Sequence, residues 1–372
     1  MTSPTTEELI AAYAGRRVLV TGHTGFKGGW LTLWLSGLGA HVFGYALEPA
    51  ASPSLFVAAG IDSLCDHRIA DTRDLASLRR TLREVSPDVV FHLAAQSLVR
   101  RSYAEPLETI QTNVLGTANL LEAIRLEGHK CAIVIITSDK CYENREWVHG
   151  YREEDPLGGH DVYSMSKAAA ELVTASYRRS FFSPERLGEH GVAVASVRAG
   201  NVIGGGDWAR DRIVPDAVAA LAEGRPIPVR NPDAVRPWQH VLEPLGGYLL
   251  LGARLLDDDK GSAARLCEAW NFGPSLDASQ PVSVLVERLI HHWGEGAWED
   301  RHDPSAPHEA SFLRLSIDKA WNLLGWAPRW SLDEALRATV AWYRSFHRGA
   351  GTEELRSLCG EQIADYLGEV RA

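Results

Sequence analysis

Nowhere in the 372-residue chain does an apolar run approach the ~20 residues that cross a bilayer, so no membrane span is expected. The opening segment, Met1 to Leu9, carries two glutamates and no apolar stretch, so a secretory leader is not expected either. Cysteine is scarce: Cys65, Cys131, Cys141, Cys267 and Cys359 make an odd count, and no CxxC pair exists. That excludes a disulfide framework and a cysteine-based zinc site, and leaves reduced thiols acting as small core residues. These absences make the cytoplasm the expected compartment. Positive charge is also short, with Lys+Arg 38 against Asp+Glu 48 and a net charge of −10. A nucleic-acid surface would leave a basic footprint, so no such partner is expected. An anionic small molecule is not excluded, because a few arginines can dominate the potential of one pocket. Internal repeats and low-complexity stretches are missing. His291-His292 has no third ligand at useful spacing, and no metal site is expected.

What is present is ordinary globular composition, 45% hydrophobic and 23% charged. The length suits roughly two domains at about 150 residues each. Through the first half, apolar runs alternate with helix-period segments. Residues 18–20, 42–46, 69, 89–93 and 132–136 read as strands. Residues 30–38 and 75–85 read as helices, and a long helix follows Pro106 and stops near Gly128. The 132–136 run is almost wholly apolar, as a strand covered on both faces of a parallel sheet should be. This alternation predicts an α/β fold, a Rossmann-type doubly wound parallel sheet with right-handed crossovers. After Gly204-Gly205-Gly206 the rhythm breaks, and prolines cluster at Pro226, Pro228, Pro232 and Pro237. The expected division is a Rossmann domain over 14–205 and a smaller C-terminal α/β domain over 206–372, with some chain crossing back. Residues 318–324 and 332–346 read as closing helices.

Arg17-Val18-Leu19-Val20-Thr21 runs into Gly22-His23-Thr24-Gly25-Phe26-Lys27-Gly28, with a helix beginning near Phe26. Glycines at a strand-to-helix turn let backbone N–H groups approach a pyrophosphate, and the helix N-terminus adds partial positive charge. The spacing is GxxGxxG, and it is the surrounding strand and helix that make it a dinucleotide turn rather than a plain αβ connection. An acid at the tip of the second strand would hold the ribose, and Glu48 is placed a little late for that task. No arginine stands there for a 2′-phosphate, which favours NAD over NADP. Asp71 is either an acceptor for the adenine amino group or the N-cap of the helix that follows.

Tyr163 and Lys167 are four residues apart, hence on one face of a helix. A tyrosine with a pKa near 10 is a poor base at neutral pH, and a nearby ammonium favours its phenolate. Such a pair can take a proton from a hydroxyl as that carbon is oxidised. The alternative is a surface tyrosine and a solvated lysine. Against it stand the position after the Rossmann half and Thr137 at the C-terminal end of a buried strand, where ligands bind in such sheets.

Gly22 to Gly28, His92-Leu93-Ala94-Ala95, Asn113-Val114-Leu115-Gly116-Thr117 and the Tyr163/Lys167 pair together resemble the extended short-chain dehydrogenase/reductase family, over most of the chain. The resemblance implies bound NAD contacted by Gly22, Thr24, Gly25, Phe26, Lys27, Gly28, Asp71, Ala94, Tyr163 and Lys167. It also implies a C-terminal nucleotide-sugar domain and a homodimer or homotetramer built through the helices near 106–127 and 163–183. Thr137-Ser138-Asp139-Lys140-Cys141-Tyr142-Glu143-Asn144, Gln96 to Tyr103 and Gly158-Gly159-His160-Asp161 are similar to the CDP-glucose branch of the nucleotide-sugar 4,6-dehydratases. The dTDP branch carries Thr-Asp-Glu where this chain has Asp139 followed by Lys140. Ser97 departs from the proline expected there.

That branch implies a nucleotide-sugar substrate and a catalytic set of Thr137, Asp139, Lys140, Tyr163 and Lys167. Tyr163 would take the 4-hydroxyl proton, Asp139 would protonate the departing 6-hydroxyl, and Lys140 is the candidate base at carbon 5. The alternative for Lys140 is an ion pair with Asp139 or Glu143. On the substrate side the resemblance implies Gln96, Asn201, Arg236 and His240, with Arg210 and Arg212 either adding to a phosphate clamp or solvated at the surface. A planar guanidinium suits two phosphate oxygens at once. Trp208 and Trp238 either stack on a base or belong to the core. Two competitors remain: a 4-epimerase or reductase of the same fold, against which Asp139-Lys140 speaks, and a non-catalytic NAD-sensing protein, against which the Tyr163/Lys167 pair speaks.

Overall fold

The computed structural model describes residues 5–257, 259–302 and 312–368. A seven-stranded sheet forms its centre. The strands are β1 (Arg17–Thr21), β2 (His41–Ala46), β3 (Asp66–Ile69), β4 (Val89–His92), β5 (Ala132–Ile136), β6 (Ala193–Ala199) and β7 (Ala269–Phe272). Their order is β7-β6-β5-β4-β1-β2-β3, every pairing parallel. The order reverses between β1 and β4, and open α/β sheets bind ligands at the carboxyl ends of the strands beside such a reversal. All residues of β4, β5 and β6 are buried, which accounts for their continuous apolar reading.

The Rossmann unit is not complete at residue 205. Its seventh strand, β7, comes from the C-terminal half and covers the edge of β6 that would otherwise expose unpaired backbone groups. The Leu242–Leu255 helix also returns and packs beneath the sheet, buried nearly all round. The proline cluster is accommodated in strands of only two or three residues. Val202–Ile203 pairs with Gln239–His240, Val235–Pro237 with Ser279–Pro281, and Ile227–Val229 with Trp298–Asp300. The helix after Pro106 does reach Glu127, but one π-turn, Gln111–Leu115, interrupts it.

The closing helices appear at 320–324, as a π-turn, and at Leu332–His347, whose N-terminus carries a capping box of Ser331 and Glu334. A further helix, Thr352–Leu367, was not foreseen and packs on Phe26–Gly37, with Trp34 against Tyr366 at 5.7 Å between ring centroids. Buried Glu243 gathers this end of the chain. Its carboxylate accepts from the Arg329 and Trp330 amides at 2.9 and 2.6 Å and from the Tyr366 hydroxyl at 3.1 Å. Burial lifts Glu243 to about 7 against those three donors. Among the described residues no helix is long and apolar enough to cross a membrane.

Candidate active site

The turn after β1 admits only glycine at two places. Gly22 has φ of +79°, and a Cβ there would stand 2.7 Å from the Ala94 amide nitrogen. A Cβ on Gly28 would stand 2.1 Å from the Gly22 carbonyl oxygen. The Phe26–Gly37 helix can therefore start tight against the strand, with Gly25 as N-cap and no side-chain cap on its first amides among the described residues. This cradle fits a pyrophosphate. Thr24 closes the turn, donating to the Leu47 carbonyl at 2.8 Å, and Ala94 donates its amide to Thr21 Oγ1 at 3.2 Å.

Across the crevice lies the helix Val162–Ser180, capped by Asp161, whose carboxylate accepts from the Ser164 amide at 2.9 Å. Tyr163, Lys167 and Glu171 repeat every four residues and are all buried on its inner face. The end of β5 presents Thr137, Ser138 and Asp139 to that face. Thr137 is not turned toward the phenol. Its hydroxyl lies 2.5 Å from Glu171 Oε1 and 3.1 Å from the Val197 carbonyl. The hydroxyl that acts on Tyr163 belongs to Ser138, which opposes the rise of the phenol and donates to Asp139 Oδ1 at 3.0 Å. Thr137 is thus a brace, and Ser138 holds the place foreseen for it.

Electrostatics divide the site. Burial raises the Asp139 carboxyl above its ordinary range, although Lys140, Ser138 and Lys27 oppose the shift, so this acid is helped to keep a proton. Burial pushes the Tyr163 phenol up to about 12, with Ser138 and Arg212 acting downward and Asp139 upward. Lys167 is brought down to about 8 by burial, with Glu171 and Cys141 resisting, and it donates to the Ile136 carbonyl at 3.3 Å. Lys27, expected only at the cofactor, belongs to this group. It is half-buried, with its ammonium 6.0 Å from the centre of the Tyr248 ring, and burial, Arg212 and Lys167 lower it to about 7 while Asp139 opposes. Lys140 is half-buried, its charge acting on Asp139.

Beneath them a buried network locks the scaffold. Arg198 and Glu171 pair at 2.9 Å, each 3% exposed. Ser196 donates to Glu171 at 2.7 Å, and Arg198 donates to the Tyr142 hydroxyl at 2.7 Å, which donates to Asn271 on β7 at 2.8 Å. Tyr248, from the returning helix, also faces the centre, with its charge environment set by Asp139 and Tyr163 and its buried hydroxyl without a hydrogen-bond partner among the described residues.

Of the expected substrate residues, Arg212 enters the site. It pairs with Asp207 at 2.8 Å, donates to Ser97 Oγ at 3.3 Å, and its charge reaches Tyr163 and Lys27. Asn201 is half-buried just past β6, and half-buried Arg236 donates to its neighbour's carbonyl, Val235, at 3.0 Å. Arg210 and Glu48 are exposed. Gln96 does not face the cleft, because its amide group is consumed by Leu98 and Thr109 at 2.6–3.0 Å. His240 is fully buried between the Trp30 and Trp330 rings, and burial lowers it to about 3. Trp238 is core, and Trp208 packs on Trp342, Tyr343 and Phe346, so neither presents a face for a base. Asp71 is not a helix cap: it holds the Arg73 amide and guanidinium at 2.8 Å each, and the cap is Asp74.

Residues 19–339 match the family model described as GDP-mannose 4,6-dehydratase. The chain belongs to that family. Among its relatives is the CDP-glucose 4,6-dehydratase of Salmonella typhimurium, 48% identical over 95% of this chain and 97% of the relative. A dTDP-glucose 4,6-dehydratase of Streptomyces griseus is 30% identical over 70% of this chain and 73% of its own. A solved dTDP-glucose 4,6-dehydratase from Streptomyces venezuelae, with NAD and TYD bound, superposes with a TM-score of 0.74 at 27% identity, covering 88% of this chain and 97% of that one.

Ser138, Glu171, Arg198 and Tyr248 were missed from sequence. Ser138 adjoins Thr137, and only the direction of each side chain separates them. Glu171 was within reach, since the four-residue repeat from Tyr163 through Lys167 leads to it.

Proposed function

We propose that the protein removes water from CDP-glucose, giving CDP-4-keto-6-deoxyglucose with NAD as a cofactor restored in each turnover. The observation that carries this reading is a buried carboxyl, Asp139, held by the Ser138 hydroxyl at 3.0 Å and near enough to the alcohol-oxidising Tyr163 for its charge to act on the phenol. A 4-epimerase or reductase has no use for an acid at that place. The near-full-length similarity to a CDP-glucose 4,6-dehydratase supports the choice of nucleotide sugar.

The backbone of Gly22, Gly25 and Gly28 holds the dinucleotide phosphates, and Lys167 holds the ribose side. When bound there, the oxidised nicotinamide would supply a positive charge and a hydride acceptor for carbon 4, and its reduced form the hydride for carbon 6. Burial holds the Tyr163 phenol up at about 12, and the positive charge of the bound cofactor acts with Arg212 to favour its phenolate, whose Oη accepts the proton of the sugar 4-hydroxyl. The resulting ketone acidifies the carbon-5 proton, which Lys140 accepts when it is in its neutral amine form. Asp139 protonates the 6-oxygen, and water leaves. Arg212, Arg236 and Asn201 bind the nucleotide diphosphate. A second reading gives the carbon-5 task to Lys27, favoured by an ammonium already brought to about 7.

Leu107 and Leu115 on the 106–127 segment, and Leu172 and Phe181 on or just past the neighbouring helix, are exposed apolar side chains. They support assembly through those helices into a homodimer, or a homotetramer made of two. The working compartment is the cytoplasm. The test of the reaction is mass analysis after incubation with CDP-glucose and NAD: a loss of one water supports it, and an unchanged mass, as in epimerisation, removes it.

A further inference from the structure

Tyr248 is an unused polar group beside the glycine turn. The Leu242–Leu255 helix carries it beneath the sheet, fully buried, and its hydroxyl has no hydrogen-bond partner among the described residues. A buried hydroxyl without a partner destabilises a fold, so its retention asks for a use. Packing fixes the ring. Phe272 meets it edge-on at 5.7 Å between centroids, and the helix lies so close that a Cβ on Gly247 would stand 2.4 Å from the Phe272 ring. The ammonium of Lys27 lies 6.0 Å from the centre of the Tyr248 ring. Lys27 is the second residue of the Phe26–Gly37 helix, between Gly25 and Gly28 of the turn, so it cannot avoid a dinucleotide bound there.

We propose that Tyr248 is the seat to which the Lys27 ammonium withdraws when oxidised nicotinamide occupies the cleft, a positioning residue that favours the oxidised form of the cofactor over the reduced one. This rests on the cofactor part of the reading above and holds whichever sugar reaction follows. The reason is charge. Arg212 and Lys167 already repel Lys27, and Asp139 attracts it. Oxidised nicotinamide adds one more positive charge to this group, and the reduced ring adds none. Lysine has a flexible four-carbon stem while the Tyr248 ring is held by its packing, so it is the lysine that moves. The tyrosine offers it a ring face, which attracts a cation, and a hydroxyl oxygen that no other described group uses. Burial raises the Tyr248 phenol above its ordinary value, so the hydroxyl stays neutral and its oxygen serves as acceptor.

The test weighs the two forms of the cofactor against each other, because a purely structural role for Tyr248 would affect both alike. Dissociation constants for NAD and NADH are measured by calorimetry at pH 6, below the value of about 7 to which Lys27 is lowered, so that its ammonium is charged. Tyr248→Phe keeps the ring and removes the hydroxyl. It should bind NAD about 10-fold more weakly than the wild type and leave the NADH constant unchanged, which also shows that the variant is folded. In a Lys27→Met background the same substitution should move neither constant, since no ammonium is left to seat. If Tyr248→Phe weakens both forms alike, or neither, or if its effect on NAD survives in the Lys27→Met background, the seat is overturned while the cofactor reading stands. If the wild-type protein binds neither form, it is that reading which fails.

Discussion

Thr137 Oγ1 and Glu171 Oε1 lie 2.5 Å apart, which ties the end of β5 to the catalytic helix one turn beyond Lys167. The contact turns Thr137 inward and leaves Ser138 facing the phenol. It also places an anion under Lys167, which is paired in turn with Arg198.

The first prediction concerns this brace. Thr137→Val removes one hydrogen bond, and Glu171 keeps its other partners, so the expected loss is about 1 kcal/mol with most activity retained. Glu171→Ala strands the Arg198 guanidinium in the core and should cost about 3–5 kcal/mol. Urea unfolding of both variants checks the contrast. Equal losses, or an inactive Thr137→Val, would return the catalytic role to Thr137.

The order of use gives the second. Tyr163→Phe should bind substrate and cofactor yet show no nicotinamide reduction, with a loss of about 10²–10⁴ in rate. Asp139→Asn should still reduce the cofactor and then stall before water leaves, accumulating reduced nicotinamide at its absorbance band. Normal turnover in Asp139→Asn would refute the acid assignment.

Lys140 and Lys27 compete for the carbon-5 proton, and isotope exchange separates them. If Lys140 is the base, Lys140→Met abolishes solvent deuterium incorporation at carbon 5 while oxidation at carbon 4 survives a single turnover. Lys27→Met then leaves that exchange in place. The reverse pattern assigns the task to Lys27.

Stability against pH gives the fourth prediction. In the cofactor-free protein Lys27 is lowered to about 7 from an ordinary 10.5. Between those values the unfolded chain binds a proton that the folded one does not, so this group makes stability rise with pH across the window. The limit is about 1.4 kcal/mol per pH unit, and water in the open cleft makes the real slope shallower. Its destabilising effect is fullest below pH 7, so Lys27→Met should unfold at higher urea there and show a flatter profile from 7 to 10.5. A variant less stable than wild type at pH 6 would contradict this.

Local pattern by itself determined a good deal. The parallel core strands, the glycine turn and the Tyr163/Lys167 face follow from apolar runs, positive-φ glycine and a four-residue repeat, all properties of adjacent residues. What only the tertiary structure decided depends on groups distant in sequence meeting in space. The seventh strand crosses back from residue 269 because the edge of β6 needs a partner, and no local signal announces it. Gln96 and His240 lie in motifs that point to the substrate, yet Leu98 and Thr109 claim one and the Trp30 and Trp330 rings enclose the other. Thr137 and Ser138 are neighbours of similar chemistry. Both lie just past β5, where Thr137 donates to Glu171 from the Val162–Ser180 helix and Ser138 donates to Asp139, a difference that only groups distant in sequence could impose.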